Sequence, residues 1–412
     1  MDGIKRDLEE QIPVLSEKYP CVVVTGPRQA GKTTLLKGLM DEKRTYVNLE
    51  DFEERRMAKK EPVLFLQMHP LPIFIDEVQY APELLVYIKI AVDNGAEPGT
   101  FWLASSQIFP ELTSLCESSM DGVAACSLSF LSQYEMYGSG KQAPFSVHLN
   151  ALVQRKRTHS PADLKELYER IWRGSMPEYI CGAAKSGKPG DWNAFYNGYL
   201  QSYIERDAGE LVSLADKMQF GDFIRAAACR VGQMLNLHQI AQEVLISDDT
   251  ARRWLQVLER THLVFCLYPY QDPKLRRVIK APKLFFFDTG LAAYLTRYAS
   301  PDILMNGALS GGILENYAVA EIMKSYAADR NGCRFWYYRD KEGKEIDLIL
   351  ERDGWLCPLE VKRSANPEQK GIRVFSILDK ASLPRERGGV LCLRADLSAF
   401  NSNDLMIPIW MI

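Results

Sequence analysis

The stretch "CVVVTGPRQAGKTTLLKGL", residues 21–39, constrains the fold more than any other part of the chain. Its apolar, β-branched start reads as a buried strand and its end as a helix. Between them Gly26, Pro27, Arg28, Gln29, Ala30, Gly31, Lys32 and Thr33 satisfy G-x-x-x-x-G-K-[S/T] at every fixed position, in the strand–loop–helix context that motif requires. Glycines let backbone N–H groups turn toward phosphate oxygens, and the helix N-terminus adds its dipole. Lys32 is placed to reach the β- and γ-phosphates and the Thr33 hydroxyl to ligate Mg2+, with Thr34 completing the nucleotide-binding set. The expected cofactors are ATP and Mg2+.

Three further stretches fit a parallel sheet built on that loop. "LPIFIDEVQ" (71–79) is an apolar strand ending in adjacent carboxylates. Such a pair at a strand end is ordinarily a solvated turn; downstream of this loop it reads as a Walker B element. Asp76 would then hold Mg2+ through water and Glu77 would polarise the attacking water. "TFWLASSQ" (100–107) ends in Ser106 and Gln107, placed as γ-phosphate sensors, and "TYVNLED" (45–51) supplies another strand.

The 412 residues exceed one ordinary core and predict two to four domains. The net charge of −3 removes any polyanion-binding signature from the molecule as a whole, so nucleic-acid contact needs a local basic patch. Nine scattered cysteines with no CxxC pair argue against a disulfide framework or zinc ribbon. With no apolar h-region at the start and no apolar run of about 20 residues, the expectation is a cytoplasmic protein without membrane contact.

"YGSGKQAPFS" (137–146) breaks the composition and ends the expected first domain. "SPADLKELYERIWRGSMPEYI" predicts a helix entered at its Ser-Pro and running to Trp172, and a helical block follows from Trp192 to Val231. Within it Glu205, Arg206 and Asp207 read as a solvated face; the alternative, Arg206 reaching a nucleotide in a neighbouring copy, requires a homo-oligomer. Residues 235–270 show helix-turn-helix spacing with Ser247 capping the second helix, and a hairpin after them gives a winged helix. Asp248 and Asp249 would repel DNA phosphates, whereas Lys274, Arg276, Arg277, Lys280 and Lys283 make the expected wing basic. DNA contact and a packing role both remain open for this module.

The last part reads helix, strand, strand, turn, strand. "GGILENYAVAEIMKSYAA" carries Glu315, and "KEIDLILERDGWLCPLEVKRS" carries Asp347, Glu360 and Lys362. Period-two alternation puts Glu360 and Lys362 on one strand face, where Asp347 of the adjacent strand can converge. Three carboxylates suit a hard cation such as a second Mg2+ or Mn2+, and the lysine can stabilise charge at a scissile phosphate. The plain alternative is charged decoration of an exposed strand.

Taken together, "GPRQAGKTTLLK", "IFIDEVQYAPELL", "ASSQ", "YLQSYIERD", "APKLFFFDTGLAAYL", "ILENYAVAEI" and "KEIDLILE…LEVKRS" resemble, in order, the bacterial and archaeal AAA-like P-loop ATPases with a winged helix and a C-terminal PD-(D/E)xK nuclease-like domain. The resemblance implies ATP-site roles for Lys32, Thr33, Asp76 and Glu77, and nuclease-like roles for Glu315, Asp347, Glu360 and Lys362. Two departures stand out. Ser105 occupies the place of a usual glycine, and Val123 follows Gly122 where the family has an arginine, whose loss would slow hydrolysis if it served the γ-phosphate. The expected fold is α/β: a P-loop domain over 1–136, a linker and helical segment over 137–220, a winged helix over 221–300 and a nuclease-like domain over 301–412. The expected function is Mg-dependent ATP hydrolysis coupled to DNA binding and metal-dependent cleavage. Its alternative is a nucleotide-dependent switch or scaffold for a protein partner, with slow hydrolysis and an inactive nuclease-like domain.

Overall fold

The structure, a computed structural model, describes all residues except 1–3, 119–121, 139–142, 187–190, 209–211, 214–215, 276–277 and 328–331. It forms two compact units, Met1–Leu131 with Arg260–His262, and Ser132–Glu259 with Leu263–Ile412. Among the described residues no helix is long and apolar enough to cross a membrane.

The first unit is an α/β layer structure. Its main elements are β1 (Cys21–Thr25), α1 (Lys32–Leu39), β2 (Thr45–Asn48), β3 (Ile73–Asp76), α2 (Leu84–Asp93), β4 (Phe101–Ser105) and β5 (Val123–Ser127). The five strands are parallel in the order β2-β3-β4-β1-β5. β3 and β4 are buried throughout and β1 nearly so, as expected of strands covered on both faces. β5 has exposed positions and closes one edge of the sheet. Because β4 lies between β1 and β3, the residues following all three strands meet at the same end of the sheet.

That register corrects one expectation. Val123 pairs with Cys21, at the start of the strands, while the phosphate loop follows Thr25 at their other end. An arginine after Gly122 would therefore stand about 13 Å from the loop, at ~3.3 Å per residue, and would not serve the γ-phosphate of its own chain.

The second unit begins with helices, among them α3 (Leu164–Arg173), α4 (Lys217–Ala228), α5 (Leu237–Val244) and α6 (Asp248–Arg260). The helix expected at Ser160-Pro161 starts only at Leu164, where the Asp163 carboxylate accepts from the Glu166 N–H at 2.8 Å. A short polar side chain with free lone pairs caps better than proline's fixed φ alone. Glu205 and Arg206 are exposed in a π-helical turn (Tyr203–Asp207), which both readings of this stretch require. Ser247 caps α6 as expected, accepting from Thr250 N–H at 3.1 Å, and α6 buries Trp254 against Phe220 and Phe223 of α4.

After α6 come β6 (Val264–Leu267) and β7 (Lys283–Phe286), paired antiparallel. Then follow α7 (Thr289–Leu295), α8 (Ser310–Ser325), β8 (Arg334–Arg339), β9 (Glu345–Arg352), β10 (Trp355–Lys362), β11 (Gly388–Cys392), β12 (Ser398–Ala399) and β13 (Asp404–Pro408). The six-stranded sheet runs β12-β13-β11-β10-β9-β8, with β8, β9 and β10 antiparallel and β10, β11 and β13 parallel.

The segment expected to project as a wing does not do so. Tyr270 N–H donates to the Tyr337 carbonyl at 2.7 Å, Tyr337 N–H to Tyr268 at 3.0 Å, and Ile279 N–H to Arg339 at 2.9 Å. Tyr270, Leu275 and Val278 join the core of the last sheet beside Tyr338 and Ile346. Apolar residues spaced among the lysines tie this segment down, so Lys274 and Lys280 stay exposed while Lys283 is buried. Arg276 and Arg277 lie outside the described residues.

Candidate nucleotide site and a C-terminal charge cluster

The loop between β1 and α1 can curl only because of its glycines. Gly26 has φ +152, and a Cβ there would collide with the Leu128 carbonyl; Gly31 has φ +94 at the mouth of α1. The Lys32 ammonium donates to the Gly26 and Pro27 carbonyls, both at 2.9 Å. Arg28 pairs with Glu50 at 3.2 Å, Gln29 takes φ 62, Ala30 is buried, and Thr34 is exposed on the first turn of α1. Arg6 braces the loop from below, donating to the Ala30 and Ser129 carbonyls at 2.6 Å each. Nothing in the motif announces Arg6.

The Walker B residues meet the loop directly. The Thr33 hydroxyl donates to Asp76 Oδ2 at 2.7 Å and the Tyr46 hydroxyl to the same oxygen at 3.1 Å. Asp76 is 1% exposed. Burial, and then the Glu77 charge, raise its pKa against hydrogen bonds from Thr33 and Tyr46 and the Lys32 charge. A buried carboxylate in contact with a hydroxyl is a donor set whose chemistry fits a hard cation such as Mg2+.

Glu77 sits just past β3 with φ 55. Its Oε2 accepts from the Ser106 hydroxyl at 2.6 Å and from Gln79 Nε2 at 2.5 Å. Gln79 Oε1 in turn accepts from the Ser105 hydroxyl at 3.0 Å, and the Gln107 carbonyl from that same hydroxyl at 2.7 Å. Ser106, expected as a phosphate sensor, thus orients the carboxylate, and Ser105 in the usual glycine's place supplies a hydrogen bond that glycine lacks. Burial, and then the Lys32 charge, push the His262 imidazole down to about 4.

In the second unit Glu315, Asp347, Glu360 and Lys362 come together as expected. Glu360 lies one step beyond the paired residues Leu359 and Leu348, hence beside Asp347. Lys362 Nζ reaches Glu360 Oε2 at 2.5 Å and Asp347 Oδ2 at 3.9 Å. Asp347 Oδ2 also accepts from the Val361 N–H at 2.9 Å. Two members were missed. Glu345 joins from the start of β9, and Lys283 enters from β7: its Nζ contacts Glu345, Glu315 at 2.7 Å and Asp347 at 3.5 Å. A lysine among apolar residues ("PKLFFFD") was the available signal, because a buried lysine must be paired.

Lys283, first assigned to a DNA-facing wing, is 2% exposed and belongs to this cluster. Burial lowers its pKa, but Glu315, Asp347 and Glu345 together outweigh that and hold it raised. Burial, and next the Asp347 charge, raise both Glu315 and Glu360. Arg339 also engages Glu345, so four carboxylates face three cationic groups. Among the described residues no three ligating side chains are disposed to hold a metal ion. As arranged, the residues do not fit one, because ammonium groups already hold the carboxylate oxygens a cation would need.

Residues 18–137 match the model of an AAA domain. Residues 164–302 and 310–412 match two domains of unknown function, DUF8612 and DUF4143. Mb2031c of Mycobacterium bovis and Rv2008c of Mycobacterium tuberculosis, both uncharacterized, are each 28% identical over 369 residues, or 88% of this chain and 75% of theirs. The Walker-type ATPase PABY2304 of Pyrococcus abyssi aligns with a TM-score of 0.43 at 15% identity, over 71% of this chain and 96% of its own. The chain thus carries an AAA-type P-loop ATPase domain followed by a C-terminal domain of the DUF4143 type.

Proposed function

We propose that the chain binds ATP with Mg2+ and hydrolyses it. The observation that carries this reading is the paired geometry of Thr33 on Asp76 and of Ser106 and Gln79 on Glu77 at one end of the parallel sheet. Lys32 exchanges its bonds to Gly26 and Pro27 for phosphate oxygens when nucleotide enters. Glu77, held by two donors, orients the attacking water and accepts its proton. Thr33 and Asp76 would hold the Mg2+ ion, which when bound would supply charge neutralisation at the phosphates. Turnover assays test this directly: Lys32→Ala loses ATP binding, whereas Glu77→Gln keeps it and loses at least about 100-fold in kcat. Unchanged turnover in both variants would overturn the assignment.

For the second unit, the reading as a nucleotide-dependent switch or scaffold gains over that of a DNA-cutting enzyme. α6 opens with two solvent-accessible carboxylates, Asp248 beside His238 at 3.0 Å and Asp249 beside Arg252 at 2.7 Å, which a DNA phosphate would meet first. Lys274 and Lys280 remain as exposed charges that a phosphate backbone would find. With plasmid and linear DNA, ATP and Mg2+ or Mn2+, no cutting is expected. Cutting that disappears in Glu360→Ala and Lys362→Ala would restore the nuclease reading.

A further inference from the structure

We infer that Lys283 is the resident cation of the C-terminal carboxylate cluster, occupying the position that its likeness to metal-dependent nucleases would give to a divalent ion. The cluster draws Glu315 from α8 and Glu345 and Asp347 from β9 around one ammonium group. Lys362 closes the remaining side by holding Glu360. This inference rests on the geometry of the second unit and is independent of ATP hydrolysis.

The backbone shows why Lys283 does not simply step aside for an ion. Lys283 pairs with Leu267 on one side and bridges to Met234 on the other. The Leu235 N–H donates to the Pro282 carbonyl at 2.7 Å, fixing the entry to β7. At its far end β7 is clamped to α8, where Asn316, next to Glu315, accepts from the Phe286 N–H at 2.6 Å and donates to its carbonyl at 2.8 Å. The Tyr337 ring lies 5.6 Å from the ammonium. With both flanks of its backbone held, the lysine can leave only by swinging a charged side chain through buried surroundings, away from three carboxylates.

Nucleotide-free protein titrated with MnCl2, with free Mn2+ read by electron paramagnetic resonance, tests the inference. Wild type and Asp347→Asn should bind Mn2+ alike, since the cluster takes none. Folded Lys283→Met should gain a Mn2+ site at least about tenfold tighter than anything this region offers in the wild type. That gain should vanish in the double variant with Asp347→Asn. A wild-type Mn2+ site lost on Asp347→Asn, or a folded Lys283→Met that gains none, overturns the inference. If Lys283→Met does not fold, the wild type still decides the matter. Acylation by an amine-reactive ester, mapped by mass spectrometry, should mark Lys274 and Lys280 and spare Lys283, with or without millimolar Mn2+. Labelling of Lys283 that rises with Mn2+ would show the ion displacing it, and so refute the inference.

Discussion

Glu77 holds its backbone in the left-handed region, at φ 55, a conformation a glutamate adopts only under constraint. The constraint comes from neighbours on either side: its own N–H donates to Asp76 Oδ1 at 3.1 Å while Ser106 and Gln79 hold its carboxylate. Removing one of those donors should cost orientation rather than affinity. Ser106→Ala is expected to lower kcat about tenfold, near 1.4 kcal/mol, with KM for ATP almost unchanged. A matching rise in KM would instead make Ser106 a nucleotide contact. The loop motif, the Asp76-Glu77 pair and Ser106 were readable because each sits at a strand end, where chemistry and spacing coincide. Tyr46, Gln79 and Arg6 were not, because their roles arise from side chains meeting across the fold at positions no local pattern marks.

Among the elements, α7 shows how a single residue can join several parts of the second unit. Asp288 caps the helix through the Leu291 N–H at 2.6 Å and also accepts from the Tyr196 hydroxyl at 2.8 Å and the Ser175 N–H at 2.6 Å. The residue is buried, so Asp288→Ala strands several donors at once. The expected loss is about 3 kcal/mol in the unfolding free energy of this unit, read by urea titration. Strands and helices with a clear apolar period, such as β1, β3, β4, α6 and α8, were legible from the sequence alone. The segment before β7 was misread for a physical reason. A run of lysines and arginines advertises a solvated loop, but Tyr270, Leu275 and Val278 among them have more to gain by covering the edge of the last sheet.

At the scale of the whole molecule, acid stability should carry the mark of two buried imidazoles, His262 in the first unit and His159 in the second. His159 Nε2 lies 3.1 Å from Arg155 Nη1, while its Nδ1 lies 3.1 Å from the Arg155 carbonyl, an arrangement suited to the neutral ring. Burial, and then the Arg155 charge, hold its pKa down to about 4. The unfolded chain therefore takes up this proton first, near pH 6.5. Its contribution is intact above about pH 7 and is lost as the pH falls toward about 4, by up to ~3 kcal/mol. Urea unfolding of wild type and His159→Gln across that window should show a slope in the first and a flatter line in the second. Another consequence concerns how the second unit finds its fold. β6 and β7 are joined by residues 268–282 rather than by a tight turn, so no local geometry sets their alignment. A slip of one residue would turn Lys283 to the opposite face and leave Glu315, Glu345 and Asp347 facing a leucine. The buried lysine thus discriminates between strand registers, rewarding one pairing of β6 with β7 and penalising its neighbours.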